Sequence, residues 1–209
     1  MLRKLRVSIA GLAAAGLVAA AAVATTTETA GAHEPWARSQ LRSADGSRIG
    51  TVAFSDDGFS DHTLVTVRLR GAASTALDAF HGLHIHANDV SANGDGCIAD
   101  PTQPSTTWFV SADGHWKHDP AELHGNHAGD LPSVFVNGDG SASVRFDVDK
   151  LTPSEVIGRA VVLHAGADNF GNVPVGPAAD QYTAGASALA KTQATGNAGD
   201  RFACGVIER

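Results

Sequence analysis

Residues 82–86 contain two histidines separated by a single residue. In a β-strand, successive side chains point to opposite faces, so His84 and His86 project to the same side while Ile85 points the other way. Two imidazoles one strand repeat apart can bind a single metal ion, and imidazole suits copper and zinc. A His-x-His pair alone indicates a metal site only weakly, but the histidines that recur downstream make the signal strong.

The other candidate ligands form two later groups. One lies between residues 115 and 130 and consists of His115, His124, His127 and Asp130. Small residues separate the last of these, so the backbone can fold tightly around one ion. The other is a single histidine at the end of an apolar run. Three nitrogens and a carboxylate fit a closed, structural zinc site, and the remaining histidines fit an open, nitrogen-rich site that suits copper. The full candidate set is His84, His86, His115, His124, His127, Asp130 and His164.

Residues 1–32 have the features of a secretory signal peptide. A basic segment precedes an apolar run over residues 7–23, and residues 30–32 have the small-x-small pattern of a cleavage site. A retained membrane anchor is the alternative. The sequence therefore predicts a signal peptide over 1–32 and one domain over 33–209, which is long enough for a real core.

The charge balance limits the classes of partner. The chain has 15 Lys and Arg and 22 Asp and Glu, of which the first 32 residues hold three basic residues and one acidic residue. The part beyond the leader therefore has 12 basic and 21 acidic residues and a formal charge of −9. This balance argues against a nucleic acid or an anionic membrane surface as a partner. We expect no stable membrane association once the leader is removed.

Two cysteines, Cys97 and Cys204, lie in the part of the chain that we expect to be exported. An even pair in an oxidising compartment predicts one disulfide, with two free thiols as the alternative. Leader and cysteines together predict an extracytoplasmic location, namely the periplasm, the cell wall or the extracellular medium.

Alternating apolar and polar residues predict a chain built mostly of β-strands. A hairpin with an Asp-Gly turn is expected over 36–54. Two long segments, 87–131 and 165–201, lack this periodicity, and long ordered loops in compact domains usually carry function. The pattern predicts an antiparallel β-sandwich or flattened barrel with two long functional loops. The further strand segments are 62–70, 133–136, 144–148, 158–164 and 202–207.

Five short motifs, taken in order, resemble the copper–zinc superoxide dismutases of exported bacterial type. They lie at 82–86, 112–115, 127–132, 162–169 and 196–205, so the resemblance covers nearly all of the chain beyond the leader. It implies an eight-stranded antiparallel Greek-key β-barrel. It also implies copper and zinc as cofactors, and disproportionation of superoxide to O₂ and H₂O₂ as the activity, which would protect against extracellular superoxide.

The resemblance assigns roles residue by residue. It implies copper ligation by His84, His86 and His164, with His115 shared between copper and zinc. For zinc it implies His127 and Asp130, with His124 as the third ligand. Because the segment between the shared histidine and Asp130 is shorter than in better-known members, His118 competes with His124. Outside the metal ligands, it implies a link between a copper and a zinc histidine through Asp168, a superoxide-attracting cation at Arg201, and the disulfide Cys97–Cys204.

Two other functions remain open on sequence grounds. A non-catalytic copper-binding or copper-delivery module could use the same barrel, and it would not need Arg201. A copper-only superoxide dismutase would lack the cluster of His124, His127 and Asp130. The sequence leaves the oligomeric state undetermined, with a homodimer as the candidate assembly.

Overall fold

The computed structural model describes residues 36–56, 61–72, 76–169 and 188–209, all of which belong to the unit spanning His33–Arg209. The predicted signal peptide over 1–32 and part of the second predicted loop lie outside the described residues. Eight β-strands and one α-helix of eight residues are found in the described part. Their bounds are β1 Ala37–Ser43, β2 Arg48–Asp56, β3 Thr63–Leu69, β4 Ala79–His86, β5 Asp130–Val136, β6 Ala142–Val148, β7 Ala160–His164, α1 Ala188–Thr195 and β8 Arg201–Glu208.

All eight strands belong to one antiparallel sheet with the order β5-β4-β7-β8-β1-β2-β3-β6. Consecutive strands pair only in part: β4 pairs with β7, β8 with β1, and β3 with β6. The two edge strands, β5 and β6, follow one another in the chain through a turn in which Asn137 N donates to Ser141 O at 2.9 Å. The sheet is therefore a nearly closed Greek-key barrel, and the predicted fold class is confirmed.

The first hairpin shows how local chemistry sets the strand register. Gly46 has φ +82°, a left-handed conformation that glycine adopts without steric cost. Beside it, the Asp45 carboxylate accepts hydrogen bonds from the Ser43 hydroxyl at 2.6 Å and from Ser47 N at 3.0 Å. These contacts close the turn between β1 and β2, as the Asp-Gly pair predicts.

The core lies inside the barrel, but β7 is buried on both faces. Val161 and Leu163 pack in the main core. Ala160 and Val162 face outward and pack with Phe109 in a second apolar cluster beneath the loop that follows β4. The apolar run before His164 is thus a fully buried strand, as predicted, and it supports the imidazole of His164 at its end.

The loop between β4 and β5 is joined to β8 and to the second long loop. The disulfide Cys97–Cys204 joins it to β8, as predicted. Further along, the His124 backbone N–H donates to the carbonyl of Gln193 at 2.7 Å, which joins it to α1 in the second loop. The sequence patterns did not predict α1. Within the described ranges, no helix combines the length and the apolar character that crossing a membrane requires.

Candidate metal centre

Strand β4 places His84 and His86 on its outer face. They are 0% and 1% exposed, and Ile85 between them is buried in the barrel core on the opposite face, as predicted. In the sheet register, His84 lies beside Asp130 of β5 and Val162 of β7. The strand pairing therefore brings the first predicted ligands together with residues far away in sequence.

Backbone carbonyls orient the imidazoles of His86 and His164. His86 Nδ1 lies 2.8 Å from the carbonyl oxygen of Asp113, and His164 Nδ1 lies 3.1 Å from that of Gly199. A carbonyl oxygen only accepts hydrogen bonds, so each Nδ1 carries the proton and each Nε2 keeps its lone pair. The two Nε2 atoms are 3.4 Å apart. Two lone pairs thus point at the same small region.

His84 and His115 complete this copper-side set. Each of the four histidines offers a buried ring nitrogen within 4.8 Å of the others. Among the described residues, His84 Nδ1 and His115 Nε2 have no hydrogen-bond partner. A buried polar atom without a partner costs about 1–3 kcal/mol, and a metal ion would satisfy both atoms. The donor set of four imidazole nitrogens therefore fits copper.

The zinc-side set converges on one carboxylate oxygen. His115 Nδ1 lies 2.9 Å from Asp130 Oδ1, and the Nδ1 atoms of His124 and His127 each lie 3.2 Å from it. The Nδ1 atoms of His115 and His127 are 3.3 Å apart. Ligands about 2.0–2.1 Å from a tetrahedral zinc ion are about 3.3 Å from one another. The measured separations of 2.9 to 3.3 Å therefore match the ligand spacing of a closed zinc site.

The tight turn before β5 holds these ligands. Asp130 Oδ2 accepts hydrogen bonds from the backbone N–H of Gly125 at 2.6 Å and of His127 at 3.1 Å. His118 lies elsewhere: its side chain is 48% exposed, and its Nε2 is 3.7 Å from Glu155 Oε1. Of the two histidines left open by the sequence, the structure brings His124 to the cluster.

By donor distances alone, His84 falls in one group with His115, His124 and Asp130. We place His127 in this group instead of His84, because His127 Nδ1 contacts both Asp130 Oδ1 and His115 Nδ1. The Nε2 atom of His84 faces Asp168 instead, at 2.9 Å from Oδ1.

Asp168 links the two sets. Its Oδ1 lies 2.9 Å from His84 Nε2 and 3.5 Å from His124 Nε2, as the resemblance implies. Its Oδ2 accepts a hydrogen bond from the Ser133 hydroxyl at 2.9 Å. Sequence reasoning missed Ser133, because a strand serine carries no signal of this contact. A β-carbon at Gly82 would lie 2.6 Å from Asp168 Oδ1, so only glycine leaves room for the carboxylate there.

Burial keeps the histidines neutral. Desolvation is the largest cause of the lowered pKa of His84, His86 and His115, and nearby histidines lower it further for the first two. It lowers the pKa of His164 to about 3 and also lowers the pKa of His127. For Asp130, burial alone would raise the pKa, but hydrogen bonds with His115 and His124 outweigh it. At neutral pH these five imidazoles are therefore neutral and the Asp130 carboxylate is ionised, the protonation states that metals require.

Arg201 is fixed beside the copper-side set. The sheet register pairs it with His164 across β7 and β8. Its two terminal nitrogens donate to the carbonyl oxygens of Phe109 and Asp113. Both carbonyls belong to residues in the left-handed region, with φ +55° and +66°, which turn the chain around the guanidinium. Burial lowers the pKa of Arg201, and the Asp113 carboxylate opposes that shift. Because an arginine side chain keeps its charge in proteins, a permanent cation lies next to the site.

A family model for copper/zinc superoxide dismutase (SODC) matches residues 48–207. Superoxide dismutase [Cu-Zn] of Mycolicibacterium paratuberculosis is 34% identical over 193 residues, which cover 88% of this chain and 79% of the relative. The protein of the same name from Mycobacterium tuberculosis is 36% identical over 178 residues, 81% of this chain and 68% of the relative. The one from Deinococcus radiodurans is 30% identical over 189 residues, 84% and 85% of the two chains.

Solved structures agree on the fold. The clock protein EA4 superposes with a TM-score of 0.57 at 25% identity, over 83% of this chain and 94% of that chain. A double mutant of a SOD-like protein from Bacillus subtilis superposes with a TM-score of 0.54 at 21% identity, over 82% and 97% of the two chains; it supports the fold alone. With the family model matching most of its length and several relatives above 30% identity, this chain belongs to the copper/zinc superoxide dismutase family.

Proposed function

We propose that this protein is a copper–zinc superoxide dismutase that converts two superoxide ions and two protons into O₂ and H₂O₂. Copper would be held by His84, His86, His115 and His164, and zinc by His115, His124, His127 and Asp130. One observation carries the proposal: His115 presents Nδ1 to the carboxylate of Asp130 and its unpartnered Nε2 to the other three histidines. A single ring thus faces two different donor sets.

Bound copper supplies one-electron redox chemistry, which the reaction needs in both directions. The chain supplies proton handling and an anion site. His115 Nε2 is buried and has no protein partner among the described residues, so it could hold a proton whenever it does not ligate copper. With Nδ1 facing the zinc-side cluster, where it would ligate zinc, a proton on Nε2 would leave the ring neutral and in place. A proton held at Nε2 is then positioned for delivery to the reduced product.

Arg201 resolves the conflict between an anionic substrate and a chain of net negative charge. Its guanidinium stays charged at any working pH and is held by two carbonyls next to His164. It provides a local positive potential beside the copper-side set, and superoxide is small enough to respond to that local field. Asp168 fixes the rings of His84 and His124 from behind and so keeps their other nitrogens aimed at the metals.

The two alternatives fit the structure less well. A copper-only enzyme has no use for three imidazoles converging on Asp130 Oδ1 at 2.9 to 3.2 Å. A copper carrier has no use for a guanidinium fixed by two carbonyls beside the copper-side set. Neither alternative is favoured.

Metal analysis combined with an activity assay tests the proposal. We expect one copper and one zinc per chain in the purified protein, together with superoxide disproportionation. His115→Ala should remove the activity, whereas His118→Ala, at an exposed histidine of the same loop, should leave it unchanged. Copper without zinc would support the copper-only alternative. Full loading of both metals without activity would support the carrier.

We further propose that residues 1–32 are removed on export and that the protein works outside the cytoplasm. The disulfide Cys97–Cys204 supports an oxidising location. N-terminal sequencing of the exported protein should begin near residue 33; retention of the full leader would support the membrane-anchor alternative.

We also propose a homodimer through the exposed aromatic pair Phe80 and Phe135. These side chains are 57% and 40% exposed and stack edge to face on neighbouring strands, with ring centroids 5.1 Å apart. Exposed aromatic clusters of this kind are typical of protein interfaces. Light scattering should give twice the chain mass, and Phe80→Ser with Phe135→Ser should give the monomer.

A further inference from the structure

The outer face of β1, β2, β3 and β6 is rich in arginine. Strand register aligns its outward residues in rows, so that Arg38, Ala53, Thr66 and Arg145 lie side by side across the four strands. The next row contains Arg68, and Arg42 pairs with Arg48 at the end of the hairpin. We call this surface the arginine face; its arginines are Arg38, Arg42, Arg48, Arg68, Arg70 and Arg145.

The charge of this face is opposite to that of the whole chain. It holds six of the 12 basic residues beyond the leader, while the chain as a whole has net charge −7. All six are arginine, all are exposed, and none forms an ion pair with another residue of the described ranges. Three carboxylates lie close to these arginines: Glu208 opposite Arg38, Asp147 two residues from Arg145, and Asp45 in the turn between Arg42 and Arg48. With six arginines against three carboxylates, the face carries a net positive charge on an acidic protein.

The shape of the face favours a polar ligand. Two shallow cavities open on it, of about 340 Å³ beside Arg48, Arg68 and Arg70 and about 450 Å³ beside Arg38 and Arg42. Its other outward residues include Gln40, Thr51, Thr66 and Ser143. Of the exposed large apolar side chains of the described residues, only Trp36 lies on this face, beside Arg38 at its edge. The face therefore lacks the apolar centre of a typical protein interface.

We propose that the arginine face binds a linear phosphodiester polymer outside the cell. The arginine fork binds phosphate oxygens in pairs, and arginine is preferred over lysine for this geometry. Neighbouring strands lie about 4.8 Å apart, so arginines one to three strands apart offer anion sites at intervals of roughly 5 to 14 Å. A flexible chain with a phosphate in every repeat can place successive phosphates on such a grid.

The same observations disfavour the broader polyanions. A duplex nucleic acid or an anionic membrane presents a wide negative surface, which would also meet the acidic remainder of the protein. A slender polymer follows the rows of the face and avoids the rest, so the net charge that argues against wide anionic partners does not exclude this one.

Fluorescence anisotropy with the metal-loaded protein and labelled poly(glycerol phosphate) tests the proposal. We expect binding at low salt that weakens with added salt, with a log–log slope of roughly −0.7 for each arginine engaged. The triple variant Arg38→Gln, Arg68→Gln, Arg145→Gln should flatten the slope by about 2 and weaken binding at least tenfold at moderate salt. Its superoxide dismutase activity should be unchanged, which also shows that it folds.

A charge-matched control separates the face from general charge. Arg68→Gln should weaken binding several-fold, whereas Lys191→Gln, which removes one exposed charge from α1, should not. Arg68→Lys should recover only part of the affinity, because lysine keeps the charge but loses the fork. Equal losses for Arg68→Gln and Lys191→Gln would overturn the proposal. So would unchanged binding by the triple variant, an absence of binding by the wild type, or tighter binding to duplex DNA or anionic vesicles than to the polymer.

Discussion

The two halves of the metal centre are held by different kinds of structure. His84, His86 and His164 lie on β4 and β7, which are paired on both sides within the sheet. His124 and His127 lie on the loop before β5, which is held by turn hydrogen bonds and by contacts such as the one from His124 N to Gln193 O. His115 belongs to both halves, joined to β4 by an isolated bridge with His86.

This difference indicates what folding alone can position. The copper-side imidazoles are oriented by the strand ladder and by carbonyls, so they are in place before any ion binds. The zinc-side groups bring three imidazoles to within 3.2 Å of one carboxylate oxygen, an arrangement that a cation would stabilise. We infer that zinc orders its loop on binding, whereas copper enters a site that already exists.

The largest effect is expected from Asp130→Asn. Removing the charged oxygen on which three imidazoles converge should lower zinc affinity by more than about 100-fold, since even indirect partners of metal ligands contribute 10–100-fold. Hydrogen exchange should rise across residues 118–129 and stay slow in β4 and β7. Asp119→Asn, an aspartate of the same loop away from the cluster, is the control. Equal loss of protection in β4 would show that the two halves do not differ.

Gly82→Ala should damage the strand-borne half instead. Its new β-carbon would lie 2.6 Å from Asp168 Oδ1 and 2.9 Å from His84 Cε1, so the carboxylate and the ring must shift. We expect copper affinity to fall about 10–100-fold, as for other losses of a ligand's supporting partner, with an altered copper EPR spectrum. Gly114→Ala is the matched control, because nothing lies within 4 Å of its added carbon. An unaltered EPR spectrum in Gly82→Ala would show that Asp168 does not hold the His84 ring in place.

Ser133→Ala tests the link between the halves, with a smaller effect. The hydroxyl donates to Asp168 Oδ2 and opposes the rise that burial imposes on the pKa of this carboxyl. Without it the Asp168 pKa should rise further, and the carboxylate should hold the rings of His84 and His124 less firmly. We expect a loss of up to about tenfold in affinity for both metals. Ser133→Thr keeps the hydroxyl and should recover most of it; a loss confined to one metal would mean that Asp168 does not couple them.

The same contrast explains what the sequence could predict. The strand-borne ligands follow from period-2 alternation, since His84, His86 and the buried run before His164 have the spacing of a strand. The eight strands follow from the same alternation and from turns such as Asp45-Gly46. The family resemblance then supplied the pairing of distant residues.

The loop-borne features were harder to predict because no period governs a loop. The choice between His118 and His124 depends on which way the chain turns at Gly125, where φ is +98°. The contact of Ser133 with Asp168 and the position of α1 depend on tertiary packing between two loops, which a single sequence does not encode locally. The arginine face could not be predicted from the sequence for another reason. Its arginines are far apart in sequence and become neighbours only through strand register.

The last prediction concerns the stability of the metal-free protein in acid. Burial holds the pKa of His164 at about 3, below the ordinary value of 6.5 that applies in the unfolded chain. Between these values the unfolded state binds a proton that the folded state does not, so folding stability is lost as pH falls from about 6.5 toward 3. One such group adds at most about 1.4 kcal/mol per pH unit. Denaturant unfolding of the metal-free protein at several pH values measures this slope.

Replacing His164 with Gln should flatten the slope by about one proton, because glutamine does not titrate. His118→Gln should leave it nearly unchanged, since that side chain is 48% exposed and lies outside the buried cluster. We expect the two variants to differ in slope because a copper site that is formed before metal binds must bury its imidazoles even without metal. If His164→Gln and His118→Gln gave the same slope, the copper-side set would be open to water without its ion, and the two halves would both depend on metal for their order.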